Sequence, residues 1–490
     1  MDAIVPSVKR DLGALTAREH DVLVIGGGIC GVAAAWDAAQ RGLTVALLEA
    51  EDFGAGTTWN SLKTIHGGLR HLQRADVASL RESVRERRAL LRIAPEIVRP
   101  LPFLVPTYGH GMKGREAWVL ALSVNDLLAF DRNDGLPSER QIPRSRTLAP
   151  TDVCELVPGL RREGLSGGAL WSDAQVTSSE RLVMGFGRAA ADAGAAVANH
   201  VEVTGLLRCG ARVNGVQARD REAGGGMEIR ARVVVIAAGP ALDRILAFAG
   251  IARRPLPLLR AANLVLARPI VTERAVGASS GDRFLFLVPW RGRAIVGTAY
   301  EPAASPEGDG FVASFLEEAA RAFPWAGLTS ADVCLVHRGA VPGSGSAAGL
   351  WTRSRVIDHQ AEDGVPGLVS MLAVKYTTAR GLAEAAVDRV CARLERPSPA
   401  CRTATTPLPA ARPLAGPLAD RARLAVREEM ARTLADAVLR RLDLGTAGPP
   451  AEADIELVAR TMAEELGWNA GRLEAERRSL ASTYPSRQRR

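Results

Sequence analysis

The stretch DVLVIGGGICGVAAAWDAAQRGLTVALLEAEDF, residues 21–53, decides the fold. Asp21 to Ile25 is an apolar run rich in Val and Ile, the pattern of a strand buried on both faces of a parallel sheet. Gly26, Gly28 and Gly31 follow as G-x-G-x-x-G, and Ile29 to Gln40 has the Ala-rich character of a helix lying close on a sheet. Leu43 to Leu48 reads as a second strand, with Glu49 at its end. The first glycine permits the tight turn, the second lets backbone approach a pyrophosphate, and the third lets helix and strand touch. Phosphates would meet the unpaired N–H groups of the helix start. Glu49 would accept hydrogen bonds from a ribose, and its charge argues against a 2′-phosphate.

Working outward, ARVVVIAAGPALDRIL (231–246) reads as a further strand, a turn at Ala-Ala-Gly-Pro and a helix. GAGTTWNSLKTIHGGLRHL (54–72) combines small and hydroxylated residues with His66-Gly67-Gly68, as suits a loop close to a ligand. LAVKYTTARGLAEAAVDRVCARL begins at Leu372 and places Lys375, Thr377 and Thr378 at the start of a helical pattern. The chain has only four lysines (Lys9, Lys63, Lys113, Lys375), and two fall in these stretches.

Composition narrows the class. The 490 residues are 47% hydrophobic and 24% charged, as in a globular protein of two or three domains. Six scattered cysteines without C-x-x-C spacing favour reduced thiols and a cytoplasmic setting over a disulfide framework, and no metal site is expected. No signal peptide is expected in Met1 to His20, and no apolar run has bilayer-spanning length. The net charge of +8 is spread along the chain and lacks interleaved aromatics, which argues against nucleic acid. Only Arg487–Arg490 is a local basic cluster; peripheral contact with an anionic membrane surface stays compatible with this charge.

Across nearly its whole length the sequence resembles the FAD-dependent glycerol-3-phosphate dehydrogenases of the D-amino-acid-oxidase-like flavoprotein superfamily. The pieces that carry the resemblance are GGGICG (26–31), GTTWNSLKTIHGGLRHL (56–72), AAGP (237–240), VPWRGRAIVGT (288–298), KYTTARGLAE (375–384) and AVREEMARTLADAVLRRLDLG (425–445). The resemblance implies FAD, with Gly26, Gly28, Gly31, Glu49, Thr57, Lys63, His66, Gly67, Gly68 and Gly239 lining its site. Lys375, Tyr376, Thr377 and Thr378 would lie at the flavin ring, where a helix N-terminus favours the negative charge of the reduced cofactor.

It also implies an α/β fold: a discontinuous Rossmann-like FAD-binding domain (18–85, 150–250 and 345–400), a β-sheet substrate domain (86–149 and 251–344) and a C-terminal helical domain (405–490). Strands are expected over 260–269 and 284–300, the latter a hairpin turning at Arg291-Gly292, and the 80–130 stretch reads as helix-rich. Helical periodicity covers 418–442 and 452–481.

The departures fall on the substrate side. Asn60 stands where the family has Arg, Gly339-Ala340-Val341-Pro342 replaces a G-x-R-P element, and Ala261-Ala262-Asn263 replaces Gly-Ser-His. A phosphate monoester needs paired cationic donors, each charge-assisted bond being worth about 1.5–3 kcal/mol. Arg338, Arg353, Arg355 and Arg291 are the replacement candidates. Hydride transfer from a small hydroxyl-bearing substrate to flavin N5 is the expected chemistry, with quinone or another acceptor taking the electrons. His66 is the first candidate to handle the proton, with Lys375 stabilising charge, Arg353 binding an anionic group, and His337 and Arg338 substituting for the missing base and cation. The alternatives are oxidation of a different, non-phosphorylated hydroxy or amino compound, or a flavin-stabilised interaction protein without catalysis.

Overall fold

The computed structural model describes residues 8–111, 114–251, 255–281, 283–305, 308, 310–344, 349–397, 399–408 and 414–485. The basic cluster 487–490 lies outside them. Two large sheets organise the chain.

The first sheet grows around the strand His20–Ile25, which pairs in parallel with Val45–Leu48 on one side and Gly226–Ile236 on the other. Ala196–Ala198 extends it beyond Val45–Leu48, and Leu368–Leu372 and Arg355–Asp358 extend it beyond Gly226–Ile236. Every residue of His20–Ile25 is buried, which is why the strand reads as a continuous apolar run. Gly226–Ile236 serves two partners: residues 226–230 pair antiparallel with Arg212–Asp220, and 231–236 join the parallel sheet.

Helices Ile29–Gln40, Ser179–Asp192 and Ala379–Arg393 cover this sheet in one shared core. Ile29–Gln40 is buried almost all round, from Gly31 to Ala39. Small side chains on every face explain this, since a helix wedged between a sheet and two neighbouring helices has no solvent side.

The second sheet has the order 333–342, 258–266, 293–302, 283–290, 275–280, 98–108, 165–176 and 64–65. The expected hairpin is present, with Arg283–Trp290 and Arg293–Pro302 joined by a two-residue turn in which Arg291 (φ 50°) and Gly292 (φ 70°) are both left-handed. The 80–130 stretch is not helical throughout. Helices Val77–Ile93 and Arg115–Leu128 flank an eleven-residue strand, Val98–Tyr108. Pro100, Pro102 and Pro106 disguise that strand, yet their even spacing puts all three missing N–H groups on one side of it. Leu165–Val176 falls in the segment expected in the FAD-binding domain (150–250), yet it joins the second sheet, pairing with Val98–Tyr108.

The C-terminal helices Leu418–Glu429, Glu452–Leu466 and Ala470–Ala481, with the π-helical turn Asp436–Arg441, form a further layer. Their core includes Trp59, Val265, Trp290, Ile295 and Leu335 from elsewhere in the chain. Buried ion pairs also tie this layer to the first sheet's side: Asp52 to Arg441 (2.7 Å), Arg181 to Glu429 (2.6 Å) and His200 to Asp436 (2.8 Å). Asp52, His200 and Asp436 also have metal-ligand spacing, but Arg440 and Arg441 already neutralise their carboxylates.

Candidate active site at the carboxyl ends of the parallel strands

The turn after His20–Ile25 has the shape a dinucleotide needs. Gly26 adopts φ 109°, and a Cβ there would stand 2.6 Å from Ala237 O. A Cβ on Gly31 would stand 1.8 Å from Gly26 O, so helix and turn meet at a distance only glycine allows. Gly28 caps the helix with no side-chain hydrogen bond of its own, so the start of the helix can face a phosphate, with the Ile29 N–H taken by Thr58 Oγ1. Glu49 ends the neighbouring strand and accepts from Gly27 N (2.6 Å) and Glu51 N (2.8 Å). Burial pushes its carboxyl up, and those two N–H groups oppose the shift. Gly239 (φ 54°) makes the equivalent turn after Gly226–Ile236 and is exposed.

The loop 54–72 stitches the two sheets together through adjacent threonines. Thr58 Oγ1 accepts from Ile29 N at the helix start (3.2 Å). Thr57 Oγ1 instead donates to Ala340 O (2.9 Å) and accepts from Ala340 N (3.1 Å) on the second sheet. The residue expected to line the cofactor thus binds the substrate sheet, and its unassigned neighbour touches the glycine-rich helix.

Lys63, expected to line the cofactor, is committed elsewhere. Its ammonium is fully buried and donates to Glu180 Oε1 (2.8 Å), Ser179 Oγ (2.7 Å) and Trp59 O (2.7 Å), so it is not available to a ligand.

His66 is half-exposed, and its Nδ1 lies 3.2 Å from Asp173 Oδ2. Asp173 is buried, and its other oxygen accepts from Gly67 N (2.7 Å) and Arg87 Nη1 (2.6 Å). Burial would raise this carboxyl, but the His66 hydrogen bond and the Arg87 charge outweigh it and hold it below the usual range. A Cβ on Gly67 would meet Arg87 Nη1 at 2.2 Å, and Gly68 takes φ 90°, so the two glycines let the loop fold over this carboxylate. Asp173 and Arg87 were not singled out in the sequence. A lone acid inside LWSDAQV was the available signal for the first; Arg87 looks like its solvated neighbours in RESVRERRALL.

Across the loop, Thr377 Oγ1 accepts from His66 N (3.2 Å), which joins His66 to the start of helix Ala379–Arg393. Thr378 caps that helix with no side-chain bond, and the buried Tyr376 hydroxyl has no partner among the described residues. Lys375 Nζ lies 2.6 Å from Nε2 of His71, a contact the sequence did not suggest.

Two of the altered positions, Asn60 and Asn263, form one corner. Asn60 donates through Nδ2 to Gly56 O (3.0 Å), and its Oδ1 accepts from Arg338 N (2.9 Å). Asn263 donates to Asn60 O (3.3 Å) and accepts from Thr298 Oγ1 (2.7 Å). Each amide is thus engaged within the protein.

The expected replacements mostly point elsewhere. His337 is buried between Trp59 and Trp290, with its nitrogens 3.3 Å from Ser61 O and 3.2 Å from Thr446 O. Burial, helped by the nearby Lys63, drives it down to about 4, so it is a neutral structural link rather than a substitute base. Arg353 is exposed and paired with Asp76 (2.8 Å) on the rim of a groove between helices Val77–Ile93 and Ala379–Arg393. Arg355 pairs with Glu362 (2.8 Å). Arg291 holds Thr177 O, Thr446 Oγ1 and Asp443 beside the C-terminal layer. Arg338 alone of the four is exposed beside Asn60 without an ion pair among the described residues.

Residues 21–329 match the family described as FAD dependent oxidoreductase. The chain belongs to that family. Within it, the chain is similar to the glycerol-3-phosphate dehydrogenases. It is 32% identical over 424 residues to "Glycerol-3-phosphate dehydrogenase" of Synechocystis sp., covering 82% of this chain and 75% of that protein. It is 34% identical over 389 residues to the protein of the same name from Mycobacterium leprae, covering 76% of this chain but only 63% of that relative's length. The fold matches the glycerol-3-phosphate dehydrogenase from Bacillus halodurans complexed with FAD (TM-score 0.75, 24% identity, 98% of both chains). It also matches L-proline dehydrogenase from P. horikoshii (TM-score 0.58, 18% identity, 79% of this chain and 96% of that one).

FAD is the cofactor of this oxidoreductase, and the glycine cradle and the Tyr376 hydroxyl, buried without a partner among the described residues, fit it. The six cysteines are free, and no helix among the described residues is long and apolar enough to cross a membrane.

Proposed function

We propose that this flavoprotein is a dehydrogenase of a small hydroxyl-bearing substrate, with His66 receiving the hydroxyl proton. The observation that carries the reading is the arrangement His66–Asp173–Arg87. With Nδ1–H donated to Asp173, the exposed imidazole presents Nε2 as an acceptor, and the buried carboxylate fixes its tautomer and supports the charge it gains. Bound FAD supplies the hydride acceptor at N5. Gly26, Gly28, Gly31 and Glu49 would hold its dinucleotide part, and the helix start at Thr377-Thr378 with Lys375 would favour negative charge on its ring. Quinone or another acceptor would take the electrons, with the enzyme in the cytoplasm or at the inner face of the membrane.

A second reading, oxidation of a non-phosphorylated compound, is favoured by one observation. Asn60 and Val341 stand where the resemblance implies two arginines that would grip a phosphate, and the Asn60 amide is satisfied within the protein instead. Anaerobic absorbance of the flavin band decides both points. Bleaching by glycerol 3-phosphate supports the phosphorylated substrate; bleaching by glycerol or hydroxy acids, but not the phosphate, supports the second reading. If only amines bleach it, the hydroxyl reading falls. Asp173→Asn should slow bleaching about 100-fold or more if His66 takes the proton; an unchanged rate would remove His66 from that role.

A further inference from the structure

Lys375 and His71 form a titratable pair of which the proposed function uses only Lys375. Lys375 lies between the strand Leu368–Leu372 and the helix Ala379–Arg393, and its Nζ is 2.6 Å from His71 Nε2. His71 is buried on the 3₁₀ turn Leu69–Arg74, and its carbonyl accepts from Asp76 N (3.0 Å), which fixes the turn to the next helix. One hydrogen bond between these nitrogens needs one donor and one acceptor.

Their surroundings decide which is which. Arg70 acts on Lys375 from the same turn as His71, and Glu82 and Asp76 act on it from helix Val77–Ile93 and its cap. Arg74 also acts on His71, and Asp76 is itself engaged by Arg353 and Ser79. Burial, then the Lys375 charge, lowers His71 to about 4. Burial, then the Arg70 charge, lowers Lys375 to about 8. At neutral pH the ammonium therefore donates to a neutral imidazole; as pH rises through about 8 the ammonium discharges.

We propose that His71 is a positioning residue that anchors the Lys375 ammonium at the flavin ring, giving the cofactor a positive neighbour that alkaline pH removes. The inference rests on the reading that Lys375 stands at that ring.

Sulfite tests it without any substrate. Sulfite adds through its lone pair to N5 of oxidised flavin, leaving negative charge on the pyrimidine end of the ring, so a nearby cation tightens binding. The purified holoprotein is titrated with sulfite across neutral and alkaline pH, following loss of the flavin band and referring each affinity to the sulfite dianion. Wild type should bind with constant affinity below about 8 and lose affinity above it, by up to tenfold per pH unit. Lys375→Met should bind weakly with no such limb. His71→Phe should bind more weakly at neutral pH, with its limb moved to lower pH because the ammonium has lost an acceptor. His71→Gln, which keeps an acceptor, should restore most of both and serves if the Phe variant does not fold.

If Lys375→Met titrates like wild type, the placement of Lys375 at the ring fails and the inference with it. If Lys375→Met removes the limb but both His71 variants match wild type, the placement stands and the anchoring role is overturned.

Discussion

The glycine turn at residues 26–31 and the Asn60–Asn263 corner are linked through adjacent threonines, Thr58 and Thr57, yet they are built under different constraints. On the cofactor side the backbone itself is the binding surface. Gly31 cannot carry a Cβ without striking Gly26 O, whatever ligand is bound. At the Asn60–Asn263 corner the sheet supplies a platform on which side-chain polar atoms need only find partners. Asn60 and Asn263 have done so, pairing with Gly56, Arg338, Thr298 and one another. Sterics thus dictate the residues on one side, while side-chain hydrogen bonds hold the other together.

Four measurements would break or sharpen that contrast. Lys63 lies on the loop between the two sides, and Lys63→Met leaves Glu180 as an uncompensated buried charge. The expected loss is about 3–5 kcal/mol of stability in denaturant unfolding. A loss of flavin with no loss of stability would instead return Lys63 to the cofactor site.

On the cofactor side, Gly31→Val overpacks the turn. It should cost about 1–3 kcal/mol and give protein that purifies without its flavin absorbance. Retained flavin would show that the turn yields more readily than its distances imply.

On the substrate side, Asn60→Arg should leave flavin content intact and tighten glycerol 3-phosphate. One charge-assisted bond is worth about 1.5–3 kcal/mol, or roughly tenfold or more in affinity, read from perturbation of the flavin spectrum. No gain would place this corner away from the substrate.

The smallest effect concerns the layer that backs both sides. Burial alone would lower His200, but the Asp436 carboxylate outweighs it and raises the imidazole above 6.5. This contribution is fully present below the unfolded value of about 6.5 and is lost as pH rises through the folded one. Melting temperature should therefore show a decline of less than one proton's slope above neutrality, and His200→Gln should flatten it.

Much of the cofactor half was legible because its signals are local. Residues 21–49 state strand, turn, helix, strand and acid in order, and each follows from sterics within a few residues. The hairpin at Arg291-Gly292 was legible for the same reason. The strand Val98–Tyr108 was not, because its prolines argue against a strand until an edge tolerates them. Lys63, His337 and Arg353 have residue types suited to a site, but their directions depend on Glu180, Thr446 and Asp76, each distant in sequence. Arg87 and His71 were missed for the converse reason: nothing in their neighbours announces the carboxylate or the ammonium they meet.

By itself the sequence determined the dinucleotide cradle and the α/β class, since glycine spacing and apolar runs act through the backbone over short range; the flavoprotein family came from the resemblance of its longer motifs. Only the tertiary structure decided that His66 is oriented by Asp173, that Lys375 is held by His71, and that the exchanged asparagines close on one another. Each of these rests on polar atoms brought together from separate segments, whose pairing depends on burial and position rather than on residue type.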